Sequence, residues 1–333
     1  MVSDIIRNQE KTGKFTIGID LGGTKIGAAL VTSEGDIKAY IKRPTNAQQG
    51  KDVVINRIEQ TIYQVIDKSG VNLDNIKGIG IGVPGPIDAR IGIVYSAPNL
   101  PGWEGVPICR IIENEFRVPV FLENDANAAA WGEKIFGVAK GVKNMICLTL
   151  GTGIGGGLIL DGKIYHGNKF AAGEIGHIIV NKNGPACNCG GFGCLEAYSS
   201  ATGIRDRIVA RIKKTNNNTT ENIPKIDINN LSLADIFERA RQGDILVKDV
   251  VEDAIEYLGV GITILVNLLN PKMVVLVGGI ANEGDNLLIP VKNFVFNRAM
   301  KIMLEDLQIV LGNLREKAGV IGAAALLWHT EVN

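Results

Sequence analysis

His177 is followed, after nine residues, by Cys187-Asn-Cys189-Gly-Gly-Phe-Gly-Cys194. Three thiolates and one imidazole are the tetrahedral ligand set of a structural zinc ion, and a set closed at four leaves no coordination position for metal catalysis. Gly190, Gly191 and Gly193 would let the backbone fold around such an ion. A disulfide or a chance cluster is the competing reading, and three close thiols among glycines argue against it. Glu174 and Glu196 flank the cluster. Carboxylates accept paired hydrogen bonds from the vicinal hydroxyls of a sugar, although either glutamate alone would read as a surface residue. A metal here would lock the loop that carries them, organising a site without reacting in it.

A second chemistry lies in the glycine turns. Asp20-Leu-Gly22-Gly23-Thr24-Lys25 separates two apolar runs. Its glycines would leave backbone N–H groups free to approach a polyphosphate, and the Thr24 hydroxyl adds a donor. Asp20 is suited to the water shell of Mg²⁺. An ordinary glycine hairpin is the alternative. Gly151-Thr152-Gly153-Ile-Gly155-Gly156 matches GxGxxG, but a second strand and the Asp161-Gly162 turn follow where a dinucleotide fold needs a helix. It too reads as a phosphate turn. Gly278-Gly279, after an apolar strand, is a third place of close backbone approach, and no Walker A loop is present. Two such turns facing each other, with Gly279, would enclose a nucleotide.

Glu123-Asn124-Asp125 follows a predicted strand and precedes a helix, where open α/β sheets bind ligands. An aspartate there can take a proton from a substrate hydroxyl. It could equally cap the helix, and one residue of the group can cap while another works. Asn99 sits in the proline-bounded loop Ala97–Trp103, as a positioned polar group or a plain turn asparagine.

The elements that must carry these residues are legible in outline. Phe15–Val31 and Met145–Leu160 each read as strand, Gly/Thr turn, strand, then a polar turn. Their likeness predicts a duplicated domain whose copies open with an antiparallel meander. Between them, helices over Asp52–Lys68 and Asn127–Phe136 alternate with strands over Ile76–Val83 and Val118–Leu122, a βαβ pattern that implies a mostly parallel sheet. Helices are expected over Ile204–Lys214, Ser232–Arg241 and Ile245–Leu269, a strand over Met273–Val277 and a polar loop over Thr215–Asn230. The helix Ala318–His329 is rich in small residues and suited to close packing.

With 333 residues, two domains are the natural expectation. Lys+Arg and Asp+Glu are both 35, so no overall basic field invites nucleic acid. Met1–Lys14 is too polar for a secretory signal, and the apolar run Tyr257–Leu269 is too short for a membrane span. Five cysteines, three of them crowded and two alone, are not a disulfide framework. A reducing cytoplasm is the expected setting.

Taken together, Asp20–Thr24, Pro98–Leu100, Glu123–Asp125, Gly151–Gly157, Gly173–His177 and Cys187–Glu196 resemble, in order and spacing, the ROK family of sugar kinases and repressors. The resemblance covers about Phe15 to Leu327. It implies an actin-like, ribonuclease-H-like duplicated α/β fold of two domains around a central cleft, divided at residues 15–122 and 123–317, with the helix 318–330 returning to the first. It implies ATP-dependent phosphorylation of a hexose at its 6-hydroxyl, with Mg²⁺ and a structural zinc, and closure of the domains to exclude water. Glucose is the favoured sugar; N-acetylmannosamine, N-acetylglucosamine, fructose or allose, or polyphosphate as donor, are the alternatives. By matched position, Asp125 would be the general base, and Asn99, Asn124, Glu174, His177 and Glu196 the sugar-binding set. Gly22, Gly23, Thr24, Thr152, Gly153 and Gly279 would form the nucleotide turns. A homodimer or homotetramer is also implied. Family repressors carry a helix-turn-helix ahead of the first turn, whereas 17 residues precede Gly18 here, which favours the kinase branch over a sugar-sensing regulator.

Overall fold

The computed structural model describes residues 14–97, 99–218 and 231–329. Pro98 of the Asn99 loop, residues 1–13 of the polar N-terminus, residues 219–230 of the expected loop and residue 330 lie outside the described residues.

The first sheet contains β1 (Phe15–Leu21), β2 (Lys25–Thr32), β3 (Ile37–Pro44), β4 (Ile76–Val83) and, after the short β5 (Ile87–Asp88) and β6 (Ile93–Val94) ribbon, β7 (Val120–Asn124), in the order β3-β2-β1-β4-β7. The second contains β8 (Met145–Leu150), β9 (Ile154–Leu160), β10 (Lys163–Ile164), β11 (Met273–Val277) and β12 (Gln308–Leu311), in the order β10-β9-β8-β11-β12. The two orders are the same: an antiparallel meander whose first strand pairs with parallel strands beyond it. The duplication expected from the likeness of 15–31 and 145–160 is therefore present in the topology of both sheets.

The α-helices of nine residues or more among the described residues are, in the first half, α1 (Lys51–Ser69), α2 (Ile108–Phe116) and α3 (Asp125–Ile135), and in the second α4 (Ala201–Asn218), α5 (Leu233–Arg241), α6 (Ile245–Leu269), α7 (Asp285–Phe296) and α8 (Ala318–His329). Their ends have local causes. Ser232 and Asp235 close a capping box on α5. Asp244 accepts the Leu246 N–H at the start of α6, and Asn270 ends that helix in the left-handed region just before Pro271. The expected loop at Thr215 is corrected in its first four residues: α4 runs on to Asn218. Asn and Thr cost a helix only tenths of a kcal/mol each, and no Gly or Pro stands there to stop it. The helix at 108–116 and strand β12 escape a sequence reading because both are short.

The chain divides into one compact unit of residues 1–143, 157–173 and 312–333, and another of 144–156 and 174–311. The boundary expected between residues 122 and 123 differs from this division. β7 pairs with β4 and α3 packs on α8, so both stay with the first unit. Within that unit α8 lies on β1 and β4 at backbone distance. A Cβ on Gly80 would stand 1.8 Å from the Ala323 carbonyl oxygen, and one on Gly18 1.9 Å from that of Val320. Buried Glu133 accepts the Leu314 N–H and the Val138 N–H, tying the end of α3 to the chain entering α8. Among the described residues no helix is long and apolar enough to cross a membrane.

The contact of α8 with α3 is the tightest, since a Cβ on Gly322 would lie 1.7 Å from the Ala128 carbonyl oxygen. Overpacking a rigid backbone contact costs about 1–3 kcal/mol. Gly322→Ala is expected at the upper end of that range, read as a lower urea midpoint than wild type.

Candidate active site

In the first unit, Asp20 stands near the end of β1 and the turn Gly22-Gly23-Thr24 links it to β2. The Gly22 N–H donates to the Lys25 carbonyl at 2.9 Å, and Thr45 holds the turn from outside. The Thr45 hydroxyl donates to the Gly22 carbonyl at 2.6 Å and its N–H to the Thr24 carbonyl at 2.8 Å. Thr24 and Lys25 are exposed. Asn99 packs against this turn: a Cβ on Gly23 would lie 2.6 Å from the Asn99 Cβ. A residue expected at the sugar and one expected at the phosphates are thus neighbours.

Asp20 is half-buried against the first turn of α8, where Gly319 has no side chain to exclude it. Desolvation first, and the Asp125 carboxylate second, push its pKa up to about 6, against the opposing pull of Lys42. Two carboxylates from the ends of β1 and β7 therefore share one electrostatic environment. Asp125 opens α3, half-buried. Asn124 is the N-cap, its Oδ1 accepting the Ala126 and Asn127 N–H groups at 3.0 and 3.3 Å. The cap and the acid are thus adjacent residues: Asn124 has committed its oxygen to the helix, and Asp125 Oδ1 accepts the Ala126 N–H at 2.8 Å. Its Nδ2 donates to the Gly85 carbonyl at 3.5 Å.

In the second unit, Thr152 is exposed at the turn between β8 and β9. The Gly151 N–H donates to the Gly153 carbonyl at 2.9 Å, and the Ile154 N–H to Glu196 Oε2 at 2.8 Å. Glu196, expected at a sugar, thus braces the second turn. A cavity of about 260 Å³ opens beside Thr152, lined also by Glu196, Ser200, Thr202, Asp206 and Arg207. After β11, Gly278 takes φ of +98° and lies against the Leu150 backbone, while Gly279 has open space around its Cα.

His177, Cys187, Cys189 and Cys194 converge, their candidate ligand atoms all within 4.8 Å of one another. Cys189 Sγ and Cys194 Sγ are 3.7 Å apart, as are Cys187 Sγ and His177 Nδ1. A tetrahedral ion with Zn–S bonds of about 2.3 Å spaces its sulfurs about 3.8 Å apart, so the residues fit a four-coordinate ion. The backbone N–H of Gly191 lowers the Cys189 thiol pKa. Nδ1 faces the thiols, while Nε2 lies 3.9 Å from exposed Glu174 Oε2.

No motif in the sequence marks His166. It stands after β10, and its Nε2 is 2.7 Å from Oε2 of buried Glu123. The chain has only three histidines, and that scarcity was the signal available.

The ROK family model matches residues 16–330. A glucokinase of Thermotoga maritima is 38% identical over 93% of this chain and 96% of its own length. A xylose repressor of Caldicellulosiruptor bescii is 31% identical over 93% of this chain and 77% of its own length. The crystal structure of a ROK family glucokinase from Streptomyces griseus in complex with glucose and AMPPNP superposes with a TM-score of 0.78 at 34% identity, covering 94% of this chain and 98% of that one. The chain belongs to the ROK family, and its two like sheets are those of the actin-like duplicated α/β fold.

The raised pKa of Asp20 sets a pH dependence. Folded Asp20 ionises near 6 against 3.8 for the ordinary group, so the folded state binds the proton more tightly and stability falls as pH rises from about 4 to about 6. Asp20→Asn is expected to raise the unfolding free energy by up to about 3 kcal/mol at pH 8. The gain should vanish near pH 4, as read from urea midpoints at both pH values.

Proposed function

We propose that this protein is an ATP-dependent glucokinase that transfers the γ-phosphoryl group to the 6-hydroxyl of glucose. The observation that carries the reading is the carboxylate pair: Asp125 at the start of α3 and half-buried Asp20, whose pKa Asp125 helps to raise, at the end of β1, next to the Gly22–Thr24 turn. Perturbed carboxylates of this kind mark sites of acid–base work. Its similarity to the glucokinases supports the choice of sugar.

In this reading the sugar oxygen attacks the γ-phosphorus in line, and the bond to the bridging oxygen breaks. ADP departs, and the hydroxyl proton passes to Asp125. Mg²⁺ with ATP would take its water shell to Asp20 and spread the charge on the phosphates. Backbone N–H groups of Gly22, Gly23, Thr24, Thr152, Gly153 and Gly279, with Lys25, would serve the nucleotide. The cavity beside Thr152 offers room for the rest of it. Asn99, Asn124, Glu174, His177 and Glu196 would hold the sugar hydroxyls. Asn124 has its Nδ2 group for this, since its oxygen caps α3. Zinc, held by His177 Nδ1 and the three thiolates, would fix the loop that carries Glu174 and Glu196 without entering the reaction.

Asp125→Asn should lower turnover by about 10²–10⁴-fold while glucose affinity, followed by tryptophan fluorescence, stays within a few-fold. Turnover near wild type would remove Asp125 from the mechanism. A panel of hexoses with coupled ADP release tests the sugar: glucose should give the highest kcat/KM, and N-acetylmannosamine or fructose in that place would displace it. Elemental analysis is expected to find one zinc per chain in wild type and none in Cys187→Ser, which should lose about tenfold or more in turnover. Full activity in zinc-free protein would end the organising role.

A further inference from the structure

Behind Asp125 lies a buried carboxylate that the reaction does not use. Glu123 is 3% exposed. Its Oε1 accepts the Asn124 N–H at 2.8 Å and the Asn127 Nδ2–H at 3.0 Å. Its Oε2 meets His166 Nε2 at 2.7 Å. A carboxylate can only accept, so Nε2 must be the donor. The three donors come from the N-cap residue of α3, from its first turn and from a separate loop. Glu123 is therefore the point at which that loop is fastened to the helix end bearing Asp125.

The loop is built around the same histidine. The Ala172 N–H donates to the His166 carbonyl at 3.1 Å, closing residues 166–172 into one turn. Phe170, at a left-handed φ of 56°, sets its ring 5.0 Å from the imidazole. The Arg90 guanidinium lies over that ring, 4.7 Å from its centroid, and is itself paired with buried Asp88 on β5 at 2.8 Å. A non-glycine residue in the left-handed region persists only when its surroundings hold it. Burial opposes charge on His166, but the hydrogen bond and negative charge of Glu123 outweigh it, and the imidazole titrates above its ordinary range.

We propose that His166 is a positioning residue for phosphoryl transfer, clamping the Glu123 carboxylate that fixes the first turn of α3 and with it the direction in which Asp125 presents its own carboxylate. The inference rests on Asp125 being the base. His166 does not touch the reacting atoms in this scheme; it acts through Glu123. A misplacement of about 1 Å at a reacting group can cost 10²-fold in rate, and an unclamped helix end allows a displacement of that order.

The test compares His166→Phe, His166→Ala and His166→Gln in the full chain. Phe keeps the ring against Phe170 and removes the donor; Gln restores a donor N–H at similar reach. For Phe and Ala, kcat should fall about 10- to 100-fold with the KM for glucose within threefold and zinc content and thermal midpoint near wild type. Gln should recover kcat to within threefold of wild type. Wild-type kcat in Phe and Ala would overturn the proposal. So would a loss that Gln fails to recover, or a loss carried by KM alone. If Phe does not fold, the Ala and Gln pair decides. Asp125→Asn is assayed beside them: turnover near wild type there fails the base itself, whereas an inactive Asp125→Asn with an unaffected His166→Phe fails only the clamp.

Discussion

The approach of α8 to the first sheet at backbone distance is the constraint on which the rest of the first unit turns. Carbonyl oxygens of Val320 and Ala323 stand where side chains of residues 18 and 80 would be, and Gly322 meets the Ala128 carbonyl in the same way. A larger residue at any of these places would lift the helix from the sheet. The height of α8 then decides the chemistry at its start. Gly319 lies against the Asp20 carboxylate and helps keep it from water. The N-terminal end of a helix favours a negative charge, yet desolvation together with Asp125 prevails and Asp20 holds its proton to about pH 6. The element that makes the unit compact also makes its acid unusual, so fold and electrostatics are one arrangement seen at two scales.

The same topology is used differently in the two sheets. β7 and β12 are the outermost strands of equivalent position. β7 leads straight into α3, with Glu123, Asn124 and Asp125 at the junction. β12 ends at Leu311 and leads through residues 312–317 to α8. One copy thus spends the strand end on carboxylates and the other on returning the chain. The meander turns diverge as well. In the first copy threonine 45 braces the glycine turn, and in the second a glutamate does so. A duplicated fold fixes where backbone turns can face a ligand, while the local side chains decide what each turn can do.

Much of this could be read from the residue order because the signals were local. The glycine turns, the converging histidine and cysteines and the asparagine that caps α3 are all contained in short segments, where spacing reports geometry directly. The strand likeness between 15–31 and 145–160 carried the duplication. What escaped depended on long-range contact. The pairing of His166 with Glu123 spans 43 positions, and neither neighbourhood announces the other. The boundary expected between residues 122 and 123 falls inside β7, whereas the compact unit runs on through α3, because β7 is hydrogen-bonded to β4 and α3 packs on α8. The continuation of α4 into Thr215–Asn218 escaped because a composition rich in Asn and Thr signals a loop only on average. Asn99 beside Gly23 was legible as two separate polar turns and not as one contact.

Glu196 shows how far a single carboxylate can join functions that looked separate. It follows Cys194, the last cysteine of the cluster, by two residues, so the backbone that bends around the cluster also sets its side chain. Oε2 takes the Ile154 N–H of the second turn at 2.8 Å, and Oε1 lies 3.9 Å from Cys187 Sγ. A carboxylate has about four acceptor directions, and the contact with Ile154 occupies one of them. Room remains for a hydroxyl ligand, but the direction of that room is set by the turn on one side and the Cys187 thiol on the other. A metal in the cluster would therefore act on the glycine turn as well as on the loop, with Glu196 as the rigid link between them. The flanking glutamates are not equivalent. Glu174, exposed, has its carboxylate 3.9 Å from His177 Nε2, whereas the Glu196 carboxylate accepts a backbone N–H. The ion would orient one of them through a ligand ring and the other through the fold of the chain.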